Sequence, residues 1–247
     1  MSGAIYALAS GSVVQELRLA VLSNNLANAG TAGFKMDTVS VRLPENTAPA
    51  TGPSGSGGAS SLSGLIPVTE QVDFAQGPHQ TTGNPLDLAL EGEGFFCVST
   101  EAGVRYTRNG SFTLSPEGLL TTRDGDPVLG NGGEIAIDGS SVTVDRNGNV
   151  FADGNAAGTL RVVKFDNPQS LAKAGGTLFV TAGPEAVEVE VEAPVVQQGA
   201  LEGSNVNAVK MMTDMIEVLR GYESYQKVIR TIDESTSRAI ASVGSPE

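Results

Sequence analysis

The side chains that could carry catalytic chemistry are few, and the sequence supplies no partners for them. The one histidine, His79, lies in "QGPHQTTGNP", and no neighbouring acid or base is placed to orient it for proton transfer. The one cysteine, Cys97, lies in the apolar run "GFFCV", which favours a buried thiol over a reactive one and excludes an intramolecular disulfide. No GxSxG nucleophile elbow occurs. We therefore expect no catalytic residues.

A phosphate site is not predicted either. Gly92 and Gly94 in "EGEGFF" begin a GxG pattern, but Cys97 occupies the third glycine position and no Walker lysine follows. Glu91 and Glu93 flank Gly92 two residues apart, and solvated carboxylates are their simplest interpretation.

The best metal candidate is "DRNGN" at Asp145–Asn149, which resembles the first half of a calcium loop. Val150 stands at the position of the sharp-turn glycine, and Ala156 stands at that of the bidentate glutamate. A type I′ hairpin turn at Asn147–Gly148 explains the same residues more simply. We expect neither a metal nor a cofactor.

The composition of the chain limits the kinds of molecule that it could bind. The 247 residues include 28 acidic and 15 basic residues, a net charge of −13, which argues against binding nucleic acid or an anionic membrane. The 31 glycines and 12 prolines, with no tryptophan, are typical of short strands joined by turns. No Lys or Arg precedes Arg18 and no apolar stretch is long enough to span a membrane, so we expect neither a Sec signal nor an anchor. A protein exported by an uncleaved route would show the same pattern.

Two segments have the three/four spacing of a helix face, one at each end of the chain. The N-terminal helix should stop near Gly30, with Gly33 behind it, because glycine accepts the backbone conformation that follows a helix. The C-terminal helix is predicted over 206–243, nearly 60 Å at about 1.5 Å per residue. Ser204 or Asn205 could cap it. The two predicted faces consist of Ile5, Leu8, Ser12, Gln15, Leu19, Leu22, Leu26 and Ala29, and of Ala208, Met211, Met215, Val218, Tyr222, Tyr225, Ile229, Ile232, Thr236, Ala239 and Val243, with a second C-terminal row of Met212, Ile216 and Leu219.

Between the helices the pattern changes to short apolar strands. Residues 44–64 are rich in Pro, Gly and Ser and are predicted to form a flexible loop. From about 65 to 198, period-two segments such as "VRYTR" and "AVEVEVE" alternate with turn signals, including Asn109–Gly110, Asn147–Gly148 and Asp153–Gly154. Several short antiparallel strands are expected.

These elements predict an α+β fold with an inserted all-β central domain. Neither helix can bury its apolar face alone, so we expect the two to pair as an antiparallel coiled coil that also packs against other subunits. The predicted parts are a helix and turn at 1–34, a connector at 35–80, a β-rich domain at 81–198 and a long helix at 199–247.

Asparagines crowd the facing ends of the two predicted helices, in "LSNNLANAGTAGFK" at 22–35 and "GALEGSNVNAV" at 199–209. Antiparallel pairing would bring these segments together, where amides could fix register between packed helices. The alternative is that these asparagines only cap helix ends, and it covers about half of them.

Those same segments carry a family resemblance. "SNNLANAGTAGFK" resembles the N-terminal signature of the flagellar axial proteins of the rod and hook, and "GALEGSNVNAVKMMTDMIEVLRGYESYQKVI" at 199–229 is similar to their C-terminal segment. "TGNPLDLALEGEGFFCV" and "YTRNGSFTLSPEGLLTTRDGDPVLG" resemble their β-domain motifs. The opening "MSGAIYALASG" and the chain length look most like proximal-rod members, with distal-rod members as the alternative.

The resemblance implies a structural protein without catalytic activity that stacks helically into a rod crossing the periplasm and transmits torque. It also implies partners among copies of itself and other rod proteins, and delivery by the flagellar type III export apparatus without a cleaved signal. The residues expected at subunit interfaces, from the resemblance and the helix faces together, are Leu19, Leu22, Asn24, Asn25, Leu26, Asn28, Thr31, Phe34, Ser204, Asn205, Val206, Asn207, Met211, Met215, Val218, Tyr222, Tyr225, Ile229 and Ile232.

Two other classes of protein remain open from the residues alone. An extracellular β-rich enzyme on a helical stalk would need a cluster of catalytic side chains, which the sequence does not show. A binding module carried on a coil would bind its ligand through the β domain alone, with dispensable helices.

Overall fold

A computed structural model describes residues 2–41, 68–183 and 185–243, and the predicted 44–64 loop lies outside this part of the chain. Helices α1 (Ser2–Ala27) and α2 (Ala208–Val243) bracket a region of strands, so the mixed α+β prediction is confirmed. In the described part, neither helix combines the length and the apolar character needed to cross a membrane.

Nineteen strands and one short 3-10 helix, Pro168–Ser170, lie between α1 and α2 in the described residues. The strands are β1 (Asp37–Val41), β2 (Val68–Val72), β3 (His79–Thr81), β4 (Leu88–Glu91), β5 (Phe95–Thr100), β6 (Gly103–Thr107), β7 (Phe112–Leu114), β8 (Leu120–Thr122), β9 (Leu129–Gly130), β10 (Gly133–Glu134), β11 (Val142–Val144), β12 (Asn149–Ala152), β13 (Asn155–Thr159), β14 (Val162–Phe165), β15 (Leu171–Gly175), β16 (Leu178–Thr181), β17 (Glu188–Glu190), β18 (Val195–Gln198) and β19 (Ala200–Glu202).

Both helices lie where the spacing predicted them. Helix α1 ends at Ala27, three residues before the predicted stop, and Gly33 behind it has a φ of +69°. Helix α2 spans 36 residues, but its N-cap is neither of the two predicted residues, Ser204 and Asn205. The Asn207 side-chain oxygen accepts a hydrogen bond from the Lys210 amide at 3.0 Å, so Asn207 is the residue that caps α2.

The largest sheet has six strands in the order β15-β16-β6-β5-β14-β17, with antiparallel neighbours. Strand β5 is buried on both faces: Phe96 and Val98 join one apolar cluster, whereas Phe95 and Cys97 join the other. Because successive side chains of a strand point to opposite faces, burial of both explains why "GFFCV" is continuously apolar. The second cluster is rich in aromatic rings, among them Phe179, whose centroid lies 5.8 Å from that of Phe95.

The turns between strands only partly follow the prediction. Asp153 and Gly154 both have positive φ, +47° and +84°, and join β12 to β13 as a two-residue hairpin. At Asn147–Gly148 only Gly148 has positive φ, and its amide donates to the Asp145 carbonyl at 3.1 Å. The type I′ prediction there is therefore wrong, and the geometry is that of a type I turn followed by a left-handed glycine.

The Asn109–Gly110 signal marks something other than a hairpin. Gly110 does not have positive φ, and a Cβ atom there would lie 1.7 Å from the Leu88 carbonyl oxygen. This glycine is required because two backbone segments approach closely.

The chain divides into two compact units. Unit 1 comprises Met1–Leu26, Asp37–Gln71 and Asn207–Glu247, to the extent that these are described, and contains most of both helices. Unit 2 comprises Ala27–Met36 and Val72–Val206 and contains both apolar clusters. The chain passes between the units four times, after Leu26, Met36, Gln71 and Val206.

Candidate assembly interface

One face of α2 is sheltered within the chain, and it is the face predicted from the residue spacing. Met211 is only 4% exposed. The other predicted interface residues on this face are half-buried: Met215, Val218, Tyr222, Tyr225, Ile229 and Ile232.

The second predicted row on α2, Met212, Ile216 and Leu219, is exposed to solvent, and Val209 extends it by one step. Val209, Met212, Ile216 and Leu219 are 75%, 52%, 53% and 39% exposed, and they follow one another at steps of three, four and three. They form a continuous apolar row along about three turns of one helix. We call these four residues the exposed row. Contiguous apolar surface of this kind is typical of a site that binds another protein.

Helix α1 also has one sheltered and one exposed side. Leu19, Leu22 and Leu26 are half-buried, as the spacing predicted, whereas Val13 is 63% exposed.

Two glycines lie where α1 and α2 come close within unit 1. A Cβ atom at Gly11 would lie 2.8 Å from Tyr225 Cε1, and one at Gly221 would lie 3.8 Å from Gln15 Cδ. Residue numbers therefore rise along α1 as they fall along α2.

The asparagines at the end of α1 mostly bond within the chain. Asn25 is 1% exposed, its Nδ2 donates to the Asp37 carbonyl at 2.7 Å, and its Oδ1 accepts from the Asp37 amide at 2.9 Å. The Asn28 side-chain oxygen accepts from the Thr31 hydroxyl at 3.2 Å. Asn24 has an exposed side chain. The buried Asn25 amide thus joins the end of α1 to the start of β1.

The polar residues before α2 are similarly engaged. The Asn205 Oδ1 accepts from the Met36 amide at 2.8 Å, while its Nδ2 donates to the carbonyls of Asp73 and Ala75 at 2.8 and 3.2 Å. The Ser204 hydroxyl accepts from the Val206 amide at 3.2 Å, and Ser204 is itself buried.

Phe34 is buried in unit 2 rather than displayed on its surface. The Lys173 ammonium lies 4.2 Å from the centre of the Phe34 ring and donates to the Lys35 carbonyl at 2.8 Å. The cation over the ring face contributes a favourable cation–π contact.

The strongest polar cluster of unit 2 surrounds Glu202, whose side chain is fully buried. The Lys35 ammonium donates to Glu202 Oε1 at 2.6 Å, and Arg108 Nη1 donates to Oε2 at 3.2 Å. The Gly77 amide donates to Oε1 at 3.0 Å. The remaining contacts reach carbonyls: Lys35 donates to Ala75 at 2.7 Å, and Arg108 Nη2 donates to Gly92 at 2.6 Å. We call Lys35, Gly77, Arg108 and Glu202 the Glu202 cluster.

Burial dominates the electrostatics of this cluster. Desolvation lowers the pKa of Lys35, and the hydrogen bond to Glu202 opposes that effect. Desolvation likewise lowers the pKa of Arg108, opposed by attraction to Glu202. Buried charges persist in a protein when they are paired and hydrogen-bonded, as Lys35 and Glu202 are. Arg108 is paired through its Nη1 atom, but its buried Nε has no hydrogen-bond partner among the described residues.

Sequence reasoning missed Lys35, Arg108 and Glu202. A signal was nevertheless present, because Lys35 is the only charged residue within 19–36 and Glu202 is the only one within 193–209. Two segments already predicted to lie together each carry a single charge, of opposite sign, which is the pattern expected of a buried ion pair.

The candidates for chemistry show ordinary structural roles. His79 is exposed, with its ring nitrogens 2.8 Å from Gln76 Nε2 and 3.3 Å from Gln197 Oε1. Cys97 is fully buried, as predicted, and burial raises the pKa of its thiol to about 12. The Asp145 carboxylate accepts bonds from the amides of Asn147 and Asn149 and from the Asn149 side chain, which lower its pKa. Across the described residues, no three His, Cys, Asp or Glu side chains are grouped to hold a metal ion.

Family models match three parts of the chain. The model for flagella basal body rod proteins matches residues 5–35, and the model for the D1 domain of the flagellar hook proteins FlgE/F/G matches residues 89–152. The model for the C-terminal part of the flagellar basal body rod FlgEFG proteins matches residues 197–242. These matches include most of α1, strands β5 to β12 and nearly all of α2.

Full-length relatives agree with these models. The chain is 37% identical to the flagellar basal-body rod protein FlgF of Caulobacter vibrioides, with 99% of both chains aligned. It is 35% identical to FlgF of Escherichia coli over 97% of both chains. It is also 33% identical to the rod protein FlgG of Bacillus subtilis, over 95% of this chain and 96% of the relative.

The family resemblance noted in the sequence and the expectation of a non-catalytic protein are thus confirmed. The chain belongs to the family of flagellar basal-body rod proteins and is a structural subunit of the rod, not an enzyme.

Proposed function

We propose that the chain is a subunit of the proximal rod and that its terminal helices build the rod by packing against neighbouring subunits. The observation that carries this proposal is the exposed row on α2, Val209, Met212, Ile216 and Leu219, which lies on a helix whose other apolar face is already sheltered. An apolar row that stays exposed in the single chain gains free energy only when another surface covers it, about 1.5–3 kcal/mol for each fully buried side chain. Because the same contact repeats at every subunit of a rod, even a modest energy for each contact determines whether assembly proceeds.

Within the subunit, we infer that α1 and α2 pair as an antiparallel coiled coil. The close approaches at Gly11 and Gly221 support this pairing, since both fit helices that run in opposite directions. The sheltered faces of both helices agree with it.

The proposed position of the subunit is the periplasm-crossing part of the basal body, where a helical rod transmits torque. Its proposed partners are copies of this chain and other rod proteins, and its proposed export route is the flagellar type III apparatus. Similarity to FlgF over nearly the whole chain supports the proximal assignment, and the distal rod is the alternative because FlgG relatives align almost as well.

Ile216→Asp tests the exposed row. The charge should leave the single chain folded, because Ile216 is 53% exposed, but should block assembly by placing a carboxylate in a contact that excludes water. The matched control is Thr231→Asp, another exposed position on the same helix beyond the row. Motility and isolated basal bodies would be compared in a strain that lacks the chromosomal copy.

We expect Ile216→Asp to arrest the structure at an incomplete rod while Thr231→Asp assembles normally. Normal rods from Ile216→Asp would contradict the assignment of the row to subunit packing. Circular dichroism of both purified variants separates failed assembly from failed folding.

A further inference from the structure

The polar groups around Glu202 and Asn205 lie in segments close to three of the four places where the chain passes between its units. Lys35 immediately precedes the passage after Met36, Asp73 and Ala75 follow the one after Gln71, and Asn205 precedes the one after Val206. These segments are far apart in sequence, since Lys35 and Glu202 are separated by 167 positions.

Glu202 and Asn205, which precede the passage after Val206, each bond the segment around Lys35 and the segment that follows Gln71. Glu202 accepts from Lys35 and from the Gly77 amide, while the Asn205 amide bonds the Met36 amide and the carbonyls of Asp73 and Ala75. All of these groups belong to unit 2, so this is one local network.

The backbone around this network is closely packed as well. A Cβ atom at Gly77 would lie 2.0 Å from the Gly203 carbonyl oxygen, which requires glycine at that position. The Gly33 amide donates to the Glu202 carbonyl at 2.8 Å, and the Gly203 amide donates to the Pro78 carbonyl at 2.8 Å. The segments therefore meet backbone to backbone, and the buried charges lie among them.

We propose that the Glu202 cluster and Asn205 form a clasp that fixes segments 33–36, 73–77 and 202–205 in one register and opens as a unit, separately from the apolar core. Breaking a buried ion pair leaves an uncompensated charge. If Glu202 loses its charge, Lys35 and Arg108 stay buried without an ion-pair partner, so the joined segments should separate together. Arg108 also lies over the Phe95 ring of the aromatic cluster, 5.3 Å from its centroid, so we place the boundary between the clasp and the core at this cation–π contact.

For the rod, this inference rests on the proposed function. A subunit that carries torque must pass load from its helices into its strands, and a clasp gives the chain three joined segments for this purpose instead of separate flexible ones. Measurements on the purified chain test the clasp without assembly, so they succeed or fail independently of the rod assignment.

The experiment is hydrogen exchange of the purified full chain carrying Glu202→Gln, which keeps the shape of the side chain and removes its charge. Exchange at the amides of Gly33, Gly77 and Met36 should become at least tenfold faster, because their acceptors lie on Glu202 or Asn205. The amides of Phe96 and Val163 in the core strands should change less than twofold.

The matched control is Glu188→Gln, which removes another ion-paired glutamate of unit 2, the partner of Arg161. It should leave the amides of Gly33 and Gly77 unchanged. Asn205→Ala provides a milder second variant in case Glu202→Gln does not fold, and it should accelerate Met36 more than Gly77, whose acceptor remains in place.

Two results would overturn the proposal. Unchanged exchange at Gly33 and Gly77 in Glu202→Gln would show that the charge does not hold these segments. Equal acceleration of these amides and of the core strands would show that Glu202 supports the stability of unit 2 as a whole and not a separate clasp. If Glu202→Gln fails to fold, equal effects of Asn205→Ala on Met36 and the core strands would also refute it.

Discussion

Gly33 offers the sharpest test of how the segment after α1 is built into unit 2. Its φ of +69° lies in the left-handed region, and a Cβ atom there would lie 2.2 Å from the Asn109 backbone nitrogen. Gly33→Ala should cost about 1–2 kcal/mol for the backbone conformation. Displacement of the neighbouring backbone should add about 1–3 kcal/mol. We therefore expect the free energy of unfolding to fall by about 2–5 kcal/mol.

Gly30→Ala is the matched control, three residues earlier in the same turn. Gly30 does not have positive φ, and no atom lies within 4 Å of a Cβ placed there. Replacing glycine by alanine lowers the conformational entropy of the unfolded chain equally in both variants. This effect therefore cancels when their free energies of unfolding are compared. Urea unfolding followed by circular dichroism measures both. A difference below about 1 kcal/mol between the two alanine variants would refute this account of Gly33, because it would mean that neither strain nor overlap is present.

Two further predictions concern the core. Cys97 should contribute a fall in the free energy of unfolding of about 1.4 kcal/mol per pH unit as pH rises from 9 toward 12, because the folded thiol keeps its proton up to about pH 12 whereas the unfolded thiol loses it near its ordinary pKa of 9.0. In urea unfolding measured across that pH range, Cys97→Ala should remove this contribution of about 1.4 kcal/mol per pH unit. An unchanged dependence of stability on pH would contradict the assignment. Phe179→Ala should destabilise unit 2 by about 3–5 kcal/mol, because Phe179 is 1% exposed within the aromatic cluster. Val187→Ala, at a position 56% exposed, should change the free energy of unfolding by less than about 0.5 kcal/mol in the same assay.

The helices could be predicted from sequence because their signal is local. The spacing of Met211, Met215 and Val218 repeats along one face whatever that face contacts, and all three are sheltered in the structure. Spacing alone could not show that Met212 and Ile216 remain exposed, since that depends on where the rest of the chain packs.

Features that depend on distant segments were harder to predict. Glu202 is fully buried only because Lys35 and Arg108 are brought to it by the fold, and an isolated glutamate in a sequence is ordinarily read as a surface residue. The same limit applied to Gly110, where the requirement is the nearby Leu88 carbonyl and not the turn that Asn-Gly usually indicates.

The asparagines show how the sequence can indicate the right region for an incomplete reason. The prediction treated them as one amide seam between packed helices, with helix capping as the alternative, and only the capping alternative is found at a described residue, Asn207. Asn207 caps α2, while Asn25 and Asn205 bond backbone groups of other segments within the chain. Their amides are committed inside the subunit, which leaves the exposed apolar row as the more favourable surface for neighbours.

The hydrogen bond between the Gly33 amide and the Glu202 carbonyl has a consequence for how rod subunits can diverge. It holds the first and last segments of unit 2 together at 2.8 Å, so the 168 intervening residues form a loop with adjoining ends. Insertions, deletions or whole replacements within that loop can leave the spacing of its ends unchanged. Strand regions of different size can thus close on the same pair of adjoining ends, and rod subunits can diverge in this region while the segments around Gly33 and Glu202 stay unchanged.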